Sequence, residues 1–168
     1  MMRAALCVAL SGLLWAGAAA AEQGLMGRSV VFSVETWDDP AAPFLQSSAY
    51  RAVVGPGPEF GLAPETNGDL YVVPVLIDIG DDRIDISFKN IPPGTFYEAA
   101  FNGYILTFET DCVLFESAIL DIKATTLPIG KDAVEVTPQA VRVNVSGLGH
   151  DQDSTIGVRL DVQDCPLS

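Results

Sequence analysis

The chain has 168 residues, 49% of them hydrophobic, with 22 acidic residues against nine basic ones, one histidine and a net charge of −13. An acidic surface of that strength repels nucleic acid and anionic lipid, so no nucleic-acid partner is expected. It is compatible with plain solubility, with divalent cations or with cationic partners.

Met1-Met2-Arg3 is a short basic start before the apolar run ALCVALSGLLWAGAA. That run is too short and wrongly flanked for a membrane span. Ala19-Ala20-Ala21 before Glu22 fits the small-residue rule of signal peptidase. Residues 1–21 therefore read as a secretory signal and residues 22–168 as one domain. Cys7 precedes most of the apolar run and is not placed to carry a lipid anchor. No later segment reaches the roughly 18 apolar residues of a span. The expectation is an exported protein, periplasmic or extracellular, with no membrane insertion. Cleavage leaves eight of the nine basic residues against all 22 acidic ones and takes the net charge from −13 to −14.

About 147 residues remain after residue 21, enough for one domain with a real core. The dominant signal along them is period two. RSVVFSVE is the first strand candidate and LYVVPVLIDI the second, with Pro74 making the latter an edge or bulged strand. Gly80-Asp81-Asp82 closes a hairpin into RIDISFK, where Ile84, Ile86 and Phe88 alternate with Asp85, Ser87 and Lys89. Ile91-Pro92-Pro93-Gly94 ends that strand, and Asn67-Gly68 and Gly147-Leu148-Gly149 mark further loops. FESAILDIK favours strand through its β-branched residues. VRVNV turns Val141, Val143 and Val145 inward, and TIGVRLDV does the same with Ile156, Val158, Leu160 and Val162. Short alternating strands separated by turns predict an all-β fold, an antiparallel sandwich of jelly-roll or Ig-like type.

Without the signal the cysteines reduce to Cys112 and Cys165, and an even pair in an exported chain predicts a disulfide. A zinc site is the poorer reading, because two cysteines and one histidine do not close a four-ligand shell.

The order of motifs resembles a secreted bacterial β-sandwich domain best known from proteins carrying the PEP-CTERM exosortase sorting tail. The residues that carry the resemblance begin with Val54-Gly55-Pro56-Gly57-Pro58-Glu59-Phe60 and Ile77-Asp78-Ile79. Phe101-Asn102-Gly103-Tyr104, Val143-Asn144-Val145-Ser146-Gly147-Leu148, Thr155-Ile156 and Leu160-Asp161-Val162 follow. They span residues 53–162. The resemblance implies an extracellular sandwich with no agreed catalytic residues to carry over. The chain departs from it at Cys165-Pro166-Leu167-Ser168, which holds no PEP motif, apolar span or basic tail, so sorting by that route is not expected. The cysteine pair is also foreign to the family pattern.

Gly55-Pro56-Gly57-Pro58 looks like a phosphate loop, but Pro56 and Pro58 have no N–H to give and no helix follows. A turn is expected there. His150, in GLGHDQDST, reads as a solvated loop histidine, and neither Ser146 nor Ser154 sits in a nucleophile elbow. Glu59 and Glu98 have apolar neighbours and are candidate catalytic acids, with outward strand-end carboxylates as the plainer reading. Calcium is the one candidate cofactor, on Asp151 with Asp153, or on Asp78 with Asp81 and Asp82. Trp37, Tyr97 and Tyr104 are candidates for stacking on a sugar ring, with burial in the core as the rival account. Tyr50 lies near Gly55. Asn144-Val145-Ser146 matches a glycosylation sequon, but an outward strand asparagine is the simpler account. The sequence thus predicts a secreted or periplasmic, non-catalytic binding or structural module of the cell envelope, with a glycan or an envelope protein as partner. The alternative is a carbohydrate-active hydrolase using paired carboxylates. It leaves the oligomeric state open.

Overall fold

The computed structural model describes residues 24–61, 73–89 and 91–166. The expected signal segment, the Asn67-Gly68 turn and the start of LYVVPVLIDI lie outside them. In chain order the strands are β1 (Ser29–Trp37), β2 (Leu45–Gln46), β3 (Tyr50–Val53), β4 (Leu76–Ile79), β5 (Arg83–Ser87) and β6 (Gly94–Thr95). Then come β7 (Phe101–Phe108), β8 (Phe115–Leu120), a 3₁₀ turn (Lys131–Ala133), β9 (Val134–Val136), β10 (Ala140–Asn144), β11 (Gly149–His150) and β12 (Thr155–Val162). All pairings are antiparallel. Among the described residues no helix is long and apolar enough to cross a membrane.

Two sheets enclose one core. The first runs β2-β1-β7-β10-β9, with β3 also on β1; the second runs β4-β5-β12-β8. Period-two alternation makes this packing possible, because each strand offers one apolar face. Val30, Phe32 and Val34 of β1 face Ile77, Ile84, Ile86, Ile156 and Val158 of the other sheet within a single buried cluster. Rings bridge the layers: Phe108 lies 5.2 Å from Phe115, and Phe88 lies 6.4 Å from Tyr104. The chain is an antiparallel β-sandwich, as its alternation predicts. Pro74 precedes β4, an edge strand, and the Gly80 N–H donates to the Arg83 carbonyl across the expected hairpin.

The central strand β7 pairs with β1 from Val30↔Phe108 to Trp37↔Phe101 and with β10 from Ala140↔Thr107 to Asn144↔Gly103. Gly103 is required by that closeness. A Cβ there would overlap the Val143 carbonyl oxygen, backbone against backbone.

Both ends of the described chain are tied down. Cys112 and Cys165 form the expected disulfide, with Cα atoms 6.2 Å apart across 53 positions. Arg28 is buried with no carboxylate partner among the described residues; its guanidinium donates to the carbonyls of Gly24 (2.8 Å), Cys165 (2.6 Å) and Pro166 (3.4 Å). Burial lowers its pKa.

Candidate functional site

The VGPGPEF stretch is a turn closed by its own glutamate. Glu59 Oε1 accepts from the Gly55 N–H and Oε2 from the Ile79 N–H, each at 2.8 Å. Gly57 takes φ +95°, which L side chains rarely adopt. Phe60 then drops into the core 5.1 Å from Phe32, bridged to Ile77. The Gly55 amide a phosphate would need is occupied by Glu59. That carboxylate binds two backbone donors, so its geometry is that of a structural clamp.

The later motifs work the same way. Asn144 Oδ1 accepts from the N–H groups of Asn102 and Ser146, both at 3.1 Å, and its Nδ2 donates to the Ala100 carbonyl. Ser146 Oγ accepts from the Ala99 N–H (2.8 Å) and donates to the Ala99 carbonyl (2.7 Å). Asn102 Nδ2 donates to the Tyr97 carbonyl, and its Oδ1 accepts from the Thr36 hydroxyl. Together these bonds hold the 97–102 segment against the ends of β1 and β10. Short polar side chains bond to nearby backbone readily, which suits them to this use.

That clamped segment shapes an aromatic end. On the outer face Trp37 stacks on Phe101 with centroids 5.1 Å apart and planes 18° apart. The indole N–H donates to Glu35 Oε2, while Gln46 Nε2 donates to Glu35 Oε1. Nearby, Tyr97 is 68% and Phe44 59% exposed, meeting edge-on at 6.5 Å. Tyr97 and Leu45, the residue after Phe44, stand at a cavity of about 160 Å³. Val34, Phe96, Tyr104 and Val145 supply its apolar walls, and Thr36 and Asn102 its polar ones.

Of the three stacking candidates, Tyr97 is an exposed ring at the cavity, while Trp37 lies on the outer face of β1, the face opposite the cavity-lining Val34 and Thr36. Tyr104 is corrected: it is 1% exposed, an inward residue of β7 among Phe32, Phe88 and Phe96. Its position opposite Val34 puts it on the core face, where its ring packs on protein rings. Trp37 belongs to the end of β1 and not to a loop.

His150 is a second correction. It is buried in β11, not solvated, with its ring against Phe88 (5.5 Å) and Phe96 (4.8 Å). A flat ring with two apolar faces fits an aromatic cluster, which the polar residues around it in sequence conceal.

The aspartates serve turns and edges. Asp151 Oδ1 accepts from the Asp153 N–H and the Ser154 hydroxyl, an Asx-type turn. Asp78 lies opposite Asp85, which Arg83 pairs. The Asp81 carbonyl accepts from Leu25 N–H and the Asp82 carbonyl from Leu160 N–H. Among the described residues no three of His, Cys, Asp and Glu come together as a metal ion needs. Glu98 is exposed near Gly147.

Sequence reasoning missed Phe44 and Arg28. Phe44 sits in a proline-rich loop whose only signal was an aromatic among small residues, and Arg28 looked like any surface cation. No protein-family model, curated protein or solved structure matches this chain.

Proposed function

We propose that this protein is a non-catalytic binding module, exported to the periplasm or the extracellular space, that takes a glycan at its aromatic end. One observation carries the reading: Tyr97 and Phe44 are large, exposed rings in mutual contact beside a cavity. Rings of this kind offer apolar faces to the C–H side of a sugar, and a polar rim takes the hydroxyls. Thr36 and Asn102 in the cavity wall furnish those polar groups. The ordered likeness to secreted bacterial sandwich domains is in keeping with an envelope role.

The hydrolase alternative draws less support. It requires two carboxylates facing each other across a cleft. Glu59 is engaged by two amides, and Ser146 is bonded twice to Ala99. Those polar groups hold the fold.

The test is a thermal melt of the oxidised protein against a glycan panel, with and without calcium. A ligand at about 100 times its Kd adds about 2.7 kcal/mol, a rise of several degrees at this size. A rise with one glycan class, lost in Tyr97→Ala, supports the reading. No rise with any glycan, together with capture of an envelope protein, would replace the glycan with a protein partner.

A further inference from the structure

We propose that His150 is a pH-sensitive latch on the cavity end: taking up a proton drives its ring away from Phe88 and Phe96 and loosens the wall formed by Thr95, Phe96 and Tyr97. The geometry is that of a part built for a neutral ring. His150 is 8% exposed, and its Nδ1 is buried with no hydrogen-bond partner. Its other edge lies against Gly94, where a Cβ would come within 2.9 Å of Nε2. An imidazolium carries two N–H donors and a charge that this aromatic box does not solvate.

What the ring holds is slight. The β6–β11 ribbon consists of Gly149↔Thr95 and His150↔Gly94, with the Phe96 N–H donating to the Leu148 carbonyl at 2.9 Å. Thr95, Phe96 and Tyr97, the strand end and the residues after it, line the cavity. Displacing the ring therefore removes support from one cavity wall while β7 and β12 stay paired.

The charges around the ring are few. Asp151, next in the chain, is the acidic neighbour, and its carboxylate is already held by Asp153 N–H and Ser154 Oγ. Lys89 follows Phe88 and is exposed. Gly94, Thr95 and Phe96 bring no charge. From β7 comes Tyr104, whose burial raises its phenol far above the usual range and keeps it neutral. Burial lowers the His150 pKa, with Asp151 opposing.

This inference rests on the binding reading only for what the loosening serves; the test needs no ligand, so the two can fail separately. His150 is the one histidine of the chain, and its imidazole signals can be followed by NMR from pH 7.5 to 4.5. The expected midpoint is below about 6.5, the ordinary histidine value. Between about pH 6.5 and that midpoint the protection factor of the Phe96 amide should fall by up to about ten-fold per pH unit and level off below it, while the Leu106 amide in β7 holds. His150→Phe should make the Phe96 protection independent of pH. If that variant does not fold, the wild-type titration decides alone. A midpoint at or above about 6.5, or unchanged Phe96 protection through the titration, would overturn the latch.

Discussion

Replacing Glu59 by glutamine separates a structural clamp from a catalytic acid. The carboxylate holds two amides at 2.8 Å, one from Gly55 in the turn and one from Ile79 at the end of β4. The substitution Glu59→Gln keeps one oxygen for one amide and presents an NH₂ to the other. One charge-assisted bond is lost and an N–H faces a donor beside the fully buried Ile79 side chain. Hydrogen bonds to charged groups contribute about 1.5–3 kcal/mol, so the expected loss is about 2–3 kcal/mol. In a domain of this size that lowers Tm by roughly 5–10 °C. Urea melts should show a lower midpoint with an unchanged slope, since the surface exposed on unfolding is the same. Removing a strained catalytic carboxylate commonly leaves stability unchanged or raises it. A Glu59→Gln protein that melts at or above the wild-type temperature would refute the clamp.

Reduction of Cys112–Cys165 removes a second contribution: a loop of 53 positions is worth about 4 kcal/mol in the loop-entropy model, measurable as a lower urea midpoint with reductant. Gly103→Ala forces a methyl group into the Val143 carbonyl and should cost about 3 kcal/mol, read by the same melts. Tyr97→Ala, at an exposed position, should change stability by less than about 0.5 kcal/mol while weakening glycan binding roughly ten-fold, measured by calorimetry. For pH, the folded His150 pKa lies below its unfolded value, so the unfolded chain binds the extra proton as acid is added. Its contribution is therefore neutral above about pH 6.5 and turns destabilising as pH falls from there toward the folded pKa; melts between pH 8 and 5 of wild type and His150→Phe should diverge only on the acid side.

The fold was legible because its main signal, alternation, survives in single strands: VRVNV and TIGVRLDV place Val143 and Val158 in the core as their spacing requires. The disulfide followed from cysteine parity. What stayed hidden was non-local. Tyr104 alternates inward with Val34 only once β1 is known to pair with β7 from Val30↔Phe108 to Trp37↔Phe101. His150 is in a polar, glycine-bearing stretch, and its burial depends on Phe88 and Phe96 arriving from elsewhere in the chain. Tyr97 was visible as an aromatic, but its place at the cavity depends on Asn102 drawing in its carbonyl. The use of each polar motif residue as a clamp needed its partners' positions.

Trp15 and Trp37 are the two tryptophans of the chain, and a protein produced from residue 22 onward carries Trp37 alone. Trp37 stacks on Phe101 on the outer face of the strand whose inner face lines the cavity, so its intrinsic fluorescence reports on that end of the sheet, and titrating the protein with the glycan panel is the most direct measurement. The account predicts a saturable change with one glycan class, abolished in Tyr97→Ala with the melting temperature preserved. Unchanged Trp37 emission with every glycan, in protein shown to be folded and oxidised, would contradict it.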